Sequence, residues 1–265
     1  MHIVSFLFGL AMLVVCSKPT KVEVPELVEG PTKELATIDT LLWHQPDSAL
    51  AVMMEFAGSP EADSLDAFNG HYCQVLVAEL LFKNDYGQSN RGEVLKAVHY
   101  FDSVVGMDGA DARGKADARG VSVREREAFL AARAHYMNGV GFYERDSMVA
   151  ACGEYLKALE MVETHFPGIE TRHGTSLQPN HLPRFMALTY NRLGDLFKDM
   201  FMQNAIYCYK KSLVFTSIEP TSPNGMAKLL SSLGQQYHFL YQYDSANYYL
   251  NEALKHLFDT NNFGL

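Results

Sequence analysis

The chain has 265 residues, 22 basic and 31 acidic side chains, and a net charge of −9. That length holds one or two ordinary domains and far more than a minimal core. No basic run or patch is visible, so nucleic acid is not an expected partner. Aromatic packing must carry much of any core, given 14 Tyr and 16 Phe.

Residues 1–15 differ from everything after them. Ile3 to Val15, IVSFLFGLAMLVV, is 13 residues without a charge. A bilayer-spanning helix needs about 20 apolar residues, so the run suits a signal-peptide core and not a span. Leu13-Val14-Val15-Cys16 resembles a bacterial lipoprotein processing site, with Val15 where a small residue is usual and no Lys or Arg in Met1-His2. The resemblance implies a lipid on Cys16 and a periplasm-facing protein held at the cell envelope. An ordinary secretory signal or N-terminal anchor with an incidental cysteine is the alternative. Ser17 to Thr32 holds three prolines and a glycine and should be extended. The expected segments are a signal and processing site over 1–16, a tether over 17–33 and a helical domain over 34–265.

Glu34 to Phe56 reads as a helical hairpin. Ala36, Ile38, Leu41 and Leu42 mark one helix, Pro46-Asp47-Ser48 breaks it, and Ala49, Val52, Met53 and Phe56 mark the next. Gly58-Ser59-Pro60 ends the pair. Ser64 to Phe82 holds the run VLVAELLF, which length and the preceding 3.6-residue period assign to helix. A polar loop over Asn84 to Gly92 leads to a helix marked by Val94, Ala97, Val98, Phe101, Val104 and Val105. Gly106 to Glu125, with its duplicated Ala-Asp-Ala-Arg-Gly at 110–114 and 116–120, reads as a solvated insertion. Gly168 to Arg184 is the second long loop. His165, His173 and His181 lie in or beside it at spacings of eight, which fit no metal-ligand pattern, so no metal is expected.

Three stretches share one pattern. Gly139 is followed by Ala151 after twelve residues, Gly194 by Ala205 after eleven, and Gly234 by Ala246 after twelve. Glycine inside a helix costs roughly 0.5–1 kcal/mol against alanine. Such glycines therefore mark places where another helix comes too close for a Cβ, with the alanine as the small partner. Asp47-Ser48-Ala49 matches Asp244-Ser245-Ala246 and points to a degenerate copy near the start of the domain. A recurring helix–turn–helix unit means a repeat array. Leu233-Gly234 with Tyr237, and Ala246 with Ala253-Leu254, resemble the tetratricopeptide repeat. Asn138 stands where that family has Leu, Ser212 where it has Ala, and the usual proline closing the second helix is absent. The likeness implies an all-α fold, a right-handed superhelical solenoid of about five antiparallel helix hairpins. The pattern PDSAL, then YxxLxAExxFKN, then AVxYFD, resembles sensor ectodomains of such repeat proteins from Bacteroidetes, many of which continue into a membrane helix and a signalling module.

In a stacked array the first helix of each hairpin lines the concave side. If the repeat register holds, the groove residues follow by position. They are Arg133, Tyr136, Val140 and Tyr143; Asn191, Arg192, Asp195 and Lys198; and Lys228, Gln235 and His238. Arg, Lys, Asn and Tyr on one concave face suit a peptide backbone and a carboxylate. Cys73, Cys152 and Cys208 sit among packing residues and read as small buried hydrophobes. There is no GxSxG, P-loop, HExxH or CxxC, so the expectation is a non-catalytic protein- or peptide-binding module without a cofactor. It would serve as a scaffold or as the sensor input of a signalling regulator; the alternative is an envelope-assembly or nutrient-capture lipoprotein partnered with an outer-membrane protein. The chain runs out just after a second helix. A partner, a second copy or a missing C-terminal segment is therefore expected to cover Tyr248, Leu250 and Leu254.

Overall fold

A computed structural model describes residues 30–86, 91–106, 123–168 and 181–261. The leader, Cys16, most of the tether and the duplicated Ala-Asp-Ala-Arg-Gly lie outside these residues. The described part is all-α, with no strand. Its helices are α1 (Lys33–Leu42), α2 (Pro46–Ala57), the one-turn α3 (Pro60–Asp63), α4 (Ala67–Lys83), α5 (Arg91–Gly106), α6 (Val123–Tyr143), α7 (Met148–His165), α8 (Leu182–Phe197), α9 (Met202–Ile218), α10 (Pro223–Phe239) and α11 (Tyr243–Asn261). Consecutive helices pair as helical hairpins, α1 with α2, α4 with α5, α8 with α9 and α10 with α11. The chain divides into two compact units, 1–154 and 155–265, and the division falls inside α7.

Helix starts follow from local chemistry. The Thr32 hydroxyl accepts from Leu35 N–H, the Asp66 carboxylate from Asn69 N–H at 2.7 Å, and the Ser222 hydroxyl from Gly225 N–H at 3.1 Å. Each satisfies an orphan donor of a first turn. Proline occupies the first turn of α2, α3, α8 and α10, where its missing N–H costs nothing. The short α3 was not expected, since Gly58-Ser59-Pro60 reads as a stop; Pro60 instead opens one further turn. α6 begins at Val123, two residues before the expected end of the insertion.

The hairpin turns fall into two classes. After α4, α6 and α10, one non-glycine residue adopts a left-handed conformation: Asp85 (φ 60°), Asp146 (φ 58°) and Tyr241 (φ 60°). The next N–H reaches back five residues, Tyr86 to Leu81 O, Ser147 to Phe142 O and Gln242 to Tyr237 O. This is the Schellman closure, which satisfies the last helix carbonyls. After α1 and α8 the turn is tighter: Gln45 N–H returns to Leu41 O, and Phe201 N–H to Phe197 O, each at 2.7 Å. That tighter turn accounts for the eleven-residue spacing from Gly194 to Ala205. In four of these five cases, the turn after α4 being the exception, the second helix presents a buried alanine in its first turn: Ala49, Ala151, Ala205 or Ala246.

In the second unit Ala205, Ile206, Tyr209, Leu229, Leu233, Tyr237 and Ala246 form one continuous core, with Phe197, Leu213, Leu240 and Tyr249 packed on it. A Cβ on Gly194 would lie 2.4 Å from Tyr209 Cε1. One on Gly234 would lie 2.8 Å from Leu250 Cγ and 3.2 Å from the Ala246 carbonyl oxygen. The residue filling the space is thus four beyond the alanine, Tyr209 beyond Ala205 and Leu250 beyond Ala246. The alanine brings the helices close, and the following turn supplies the side chain that occupies the gap.

Candidate functional site

The first unit holds a closed polar centre. α1 supplies Asp39, α4 supplies Tyr72 and Glu79, and α6 supplies Arg133. The Arg133 guanidinium is 1 % exposed. Its Nε and Nη2 donate to Glu79 Oε1 and Oε2 at 3.0 and 2.5 Å. Its Nη1 and Nη2 donate to Asp39 Oδ2 and Oδ1 at 3.0 and 2.7 Å. The Tyr72 hydroxyl donates to Asp39 Oδ2 at 2.6 Å. Trp43 and Phe129 cover the guanidinium, with ring centroids 5.9 and 5.6 Å from Cζ. Two bidentate carboxylates satisfy the fork of the arginine, the geometry that makes such a burial tolerable. Burial and the Asp39 charge hold the Tyr72 hydroxyl well above its ordinary range.

This overturns part of the expected groove. Arg133, Tyr136 and Val140 do not face solvent, because α6 is buried without a break from Glu127 to Gly141. Of the four residues expected to line the groove on this helix, only Tyr143, at its end, is half-exposed. The same helix carries a second buried basic group. His135 Nδ1 lies 2.7 Å from Glu154 Oε2 and its Nε2 lies 2.9 Å from Asp102 Oδ1. Burial alone would lower its pKa, but the hydrogen bonds to Asp102 and Glu154 outweigh it and raise the value to about 9. The ring is therefore a cation at neutral pH, donating from both nitrogens. Asp39, Glu79, Asp102 and Glu154 were not singled out from the sequence. A lone charge in an apolar helix, Arg133 amid alanines and Glu79 in VLVAELLF, is the signal that would have found the pair.

The second unit keeps its predicted face open. Asn191, Arg192, Asp195 and Lys198 on α8 are half-exposed, and Lys228, Gln235 and His238 on α10 are exposed. Asp195 accepts from the Tyr209 hydroxyl at 2.9 Å, and Arg192 Nη1 stands 3.9 Å from Asp195 Oδ2. His238 meets Phe239 and Tyr243 edge-on, with centroids 6.2 and 5.6 Å apart. Three cations, Arg192, Lys198 and Lys228, stand on this face with the carboxylates of Asp195 and, just past the end of α8, the exposed Asp199. On α11, Tyr248 and Leu254 are exposed. Leu250 is half-buried, packed on one side against Gly234.

A cleft of about 690 Å³ also opens in this unit, among α7, α8 and α9. Leu159, Leu193 and Tyr190 form its floor and Glu160, Glu163, Asn204 and Tyr207 its rim. The Tyr190 hydroxyl donates to Glu163 Oε1 at 2.9 Å.

Among the described residues no cluster of His, Cys, Asp or Glu could hold a metal, and no helix is long and apolar enough to cross a membrane. His181 Nδ1 pairs with Glu219 at 2.6 Å, and His165 Nδ1 pairs with Met161 O at 2.9 Å. His173 lies outside the described residues. Cys73 and Cys152 are half-buried and Cys208 is buried. Burial pushes the Cys73 thiol up to about 12, which leaves it inert as a nucleophile.

No family model matches the chain, and no curated protein does. Two solved structures, described as the crystal structure of MamA and of MamA protein, align over 89 % and 88 % of this chain and 99 % and 95 % of theirs. Identity is 16 % and 17 %, and the TM-score is 0.42 in both cases. At that score the likeness carries no argument about fold or function. The helical-hairpin assignment stands on the chain's own packing.

Proposed function

We propose that this protein is a non-catalytic protein- or peptide-binding module, with the first helices of its last two hairpins as the binding face. One observation carries the reading. At one repeat register, Leu193-Gly194 and Leu233-Gly234 turn inward to pack, while Asn191, Arg192, Asp195 and Lys198, and Lys228, Gln235 and His238, stay at the surface. Stacked hairpins present such faces side by side, and a peptide can lie across them. The excess of cations there favours a partner bearing a carboxylate, a chain terminus or an acidic side chain. We further propose export and lipid attachment through Cys16, which would place the module at the envelope as a scaffold or sensor input. Cys16 and its leader support this by sequence resemblance.

Substituting Arg192 and Lys228 together with Ala should weaken binding of an identified partner at least tenfold, with the helical circular dichroism unchanged. Unaltered affinity would remove the face from consideration. Labelling cells with a radioactive fatty acid tests the anchor: incorporation that disappears in Cys16→Ser supports it, and an unlabelled protein ends it.

A further inference from the structure

The repeat register allows one helix junction to be compared with the next. Counting from Ala151, Ala205 and Ala246, Leu156 of α7 corresponds to Lys210 of α9, and Cys208 of α9 to Tyr249 of α11. Counting from Gly194 and Gly234, Phe197 corresponds to Tyr237. At the α9–α10–α11 junction these positions are filled. The rings of Tyr237 and Tyr249 stack at 5.5 Å, 6° from parallel, and Lys210 Nζ lies 5.4 Å from the Tyr237 centroid. The protein thus places a lysine across an aromatic ring at this kind of junction, a cation–π arrangement. At the preceding junction Cys208 stands where the tyrosine would be, Leu156 where the lysine would be, and the cleft of about 690 Å³ remains. Its rim differs in charge as well. Glu160 and Glu163 occupy the positions held by Val214 and Ser217 one repeat later.

We propose that this cleft receives a lysine or arginine side chain from a partner protein. The aliphatic stem of that residue lies on Leu156 and Phe197, as long cationic side chains do on apolar surfaces. The head reaches Glu160 and Glu163, and the Tyr190 hydroxyl fixes the Glu163 carboxylate. The occupant follows from the neighbouring junction, which holds a lysine, and from the charge of the rim. This surface is separate from the cationic face of α8 and α10 and selects the opposite charge.

The test uses the full chain with leucine methyl groups labelled for NMR. The probes are N-acetyl-lysine methylamide and its uncharged counterpart, N-acetyl-norleucine methylamide. The lysine probe should shift the Leu156, Leu159 and Leu193 methyl signals and bind at least fivefold more tightly than the norleucine probe. Glu160→Gln combined with Glu163→Gln should remove that preference. Cys208→Tyr, which copies the next junction, should abolish the response while the Leu229 and Leu233 signals stay in place. Equal response to both probes, no response, or a preference that survives the glutamine pair overturns the proposal. The glutamine variants decide the matter on their own should Cys208→Tyr fail to fold.

Discussion

Replacing Gly234 with Ala sets two opposed effects against each other. In an exposed helix the change stabilises by about 0.5–1 kcal/mol, because glycine loses more backbone freedom on folding. At Gly234 the new Cβ would stand 2.8 Å from Leu250 Cγ, 3.0 Å from Leu250 Cδ2 and 3.2 Å from the Ala246 carbonyl oxygen. Leu250 can rotate partly out of the way. The carbonyl belongs to the α11 backbone and cannot move unless α10 and α11 separate. Overpacking of this kind costs about 1–3 kcal/mol, so the net effect is a loss of about 0–2.5 kcal/mol in place of a gain. Gly153 is the internal control: it lies in α7, is exposed and has nothing within 4 Å of a built Cβ. Gly153→Ala should therefore stabilise by about 0.5–1 kcal/mol. Urea titration followed at 222 nm, with the slope checked for constancy, reads both signs. If Gly234→Ala stabilised as much as Gly153→Ala, the close crossing of α10 and α11 would be wrong.

Other outcomes follow from the buried charges. Arg133→Met should destabilise the first unit by about 3–5 kcal/mol, since Asp39 and Glu79 lose their counterion without gaining water. Adding Asp39→Asn and Glu79→Gln to that variant should recover much of the loss in chemical denaturation. His135 should make stability fall in mild alkali. Its folded pKa of about 9 lies above the ordinary 6.5, so its contribution is complete below about pH 6.5 and is lost as pH rises through 9. The gap between wild type and His135→Gln, about 3 kcal/mol at pH 6 from a shift of this size, should close towards pH 9.5. A gap independent of pH would mean that folding leaves the His135 pKa where it stands in the unfolded chain.

Much of the hairpin plan could be read from the sequence because the small residues at helix crossings answer to geometry. Gly194 and Gly234 tolerate no Cβ, and Ala49 and Ala246 are buried at equivalent places in their helices. The turns were less legible. Asp85, Asp146 and Tyr241 take left-handed conformations that would suggest glycine, and none of them is glycine. The error over Arg133, Tyr136 and Val140 has a definite cause. Deriving a groove from periodicity assumes that each first helix has one wet face, and α6 has none along Glu127 to Gly141. Its charge partners lie 54 and 94 residues earlier in the chain, a pairing that no local pattern encodes. Where a wet face does exist, on α8 and α10, the same reasoning placed Asn191, Arg192, Lys228 and Gln235 at the surface.

Site-specific photocrosslinking in the native cell tests the binding role most directly. A photoreactive residue at Gln235, on the exposed face of α10, is compared with one at Asn247, exposed on α11. The interaction role predicts a discrete protein adduct from position 235 that is missing from 247 and fades when Arg192 and Lys228 become Ala. The same adducts from both positions, or none from 235, would contradict it.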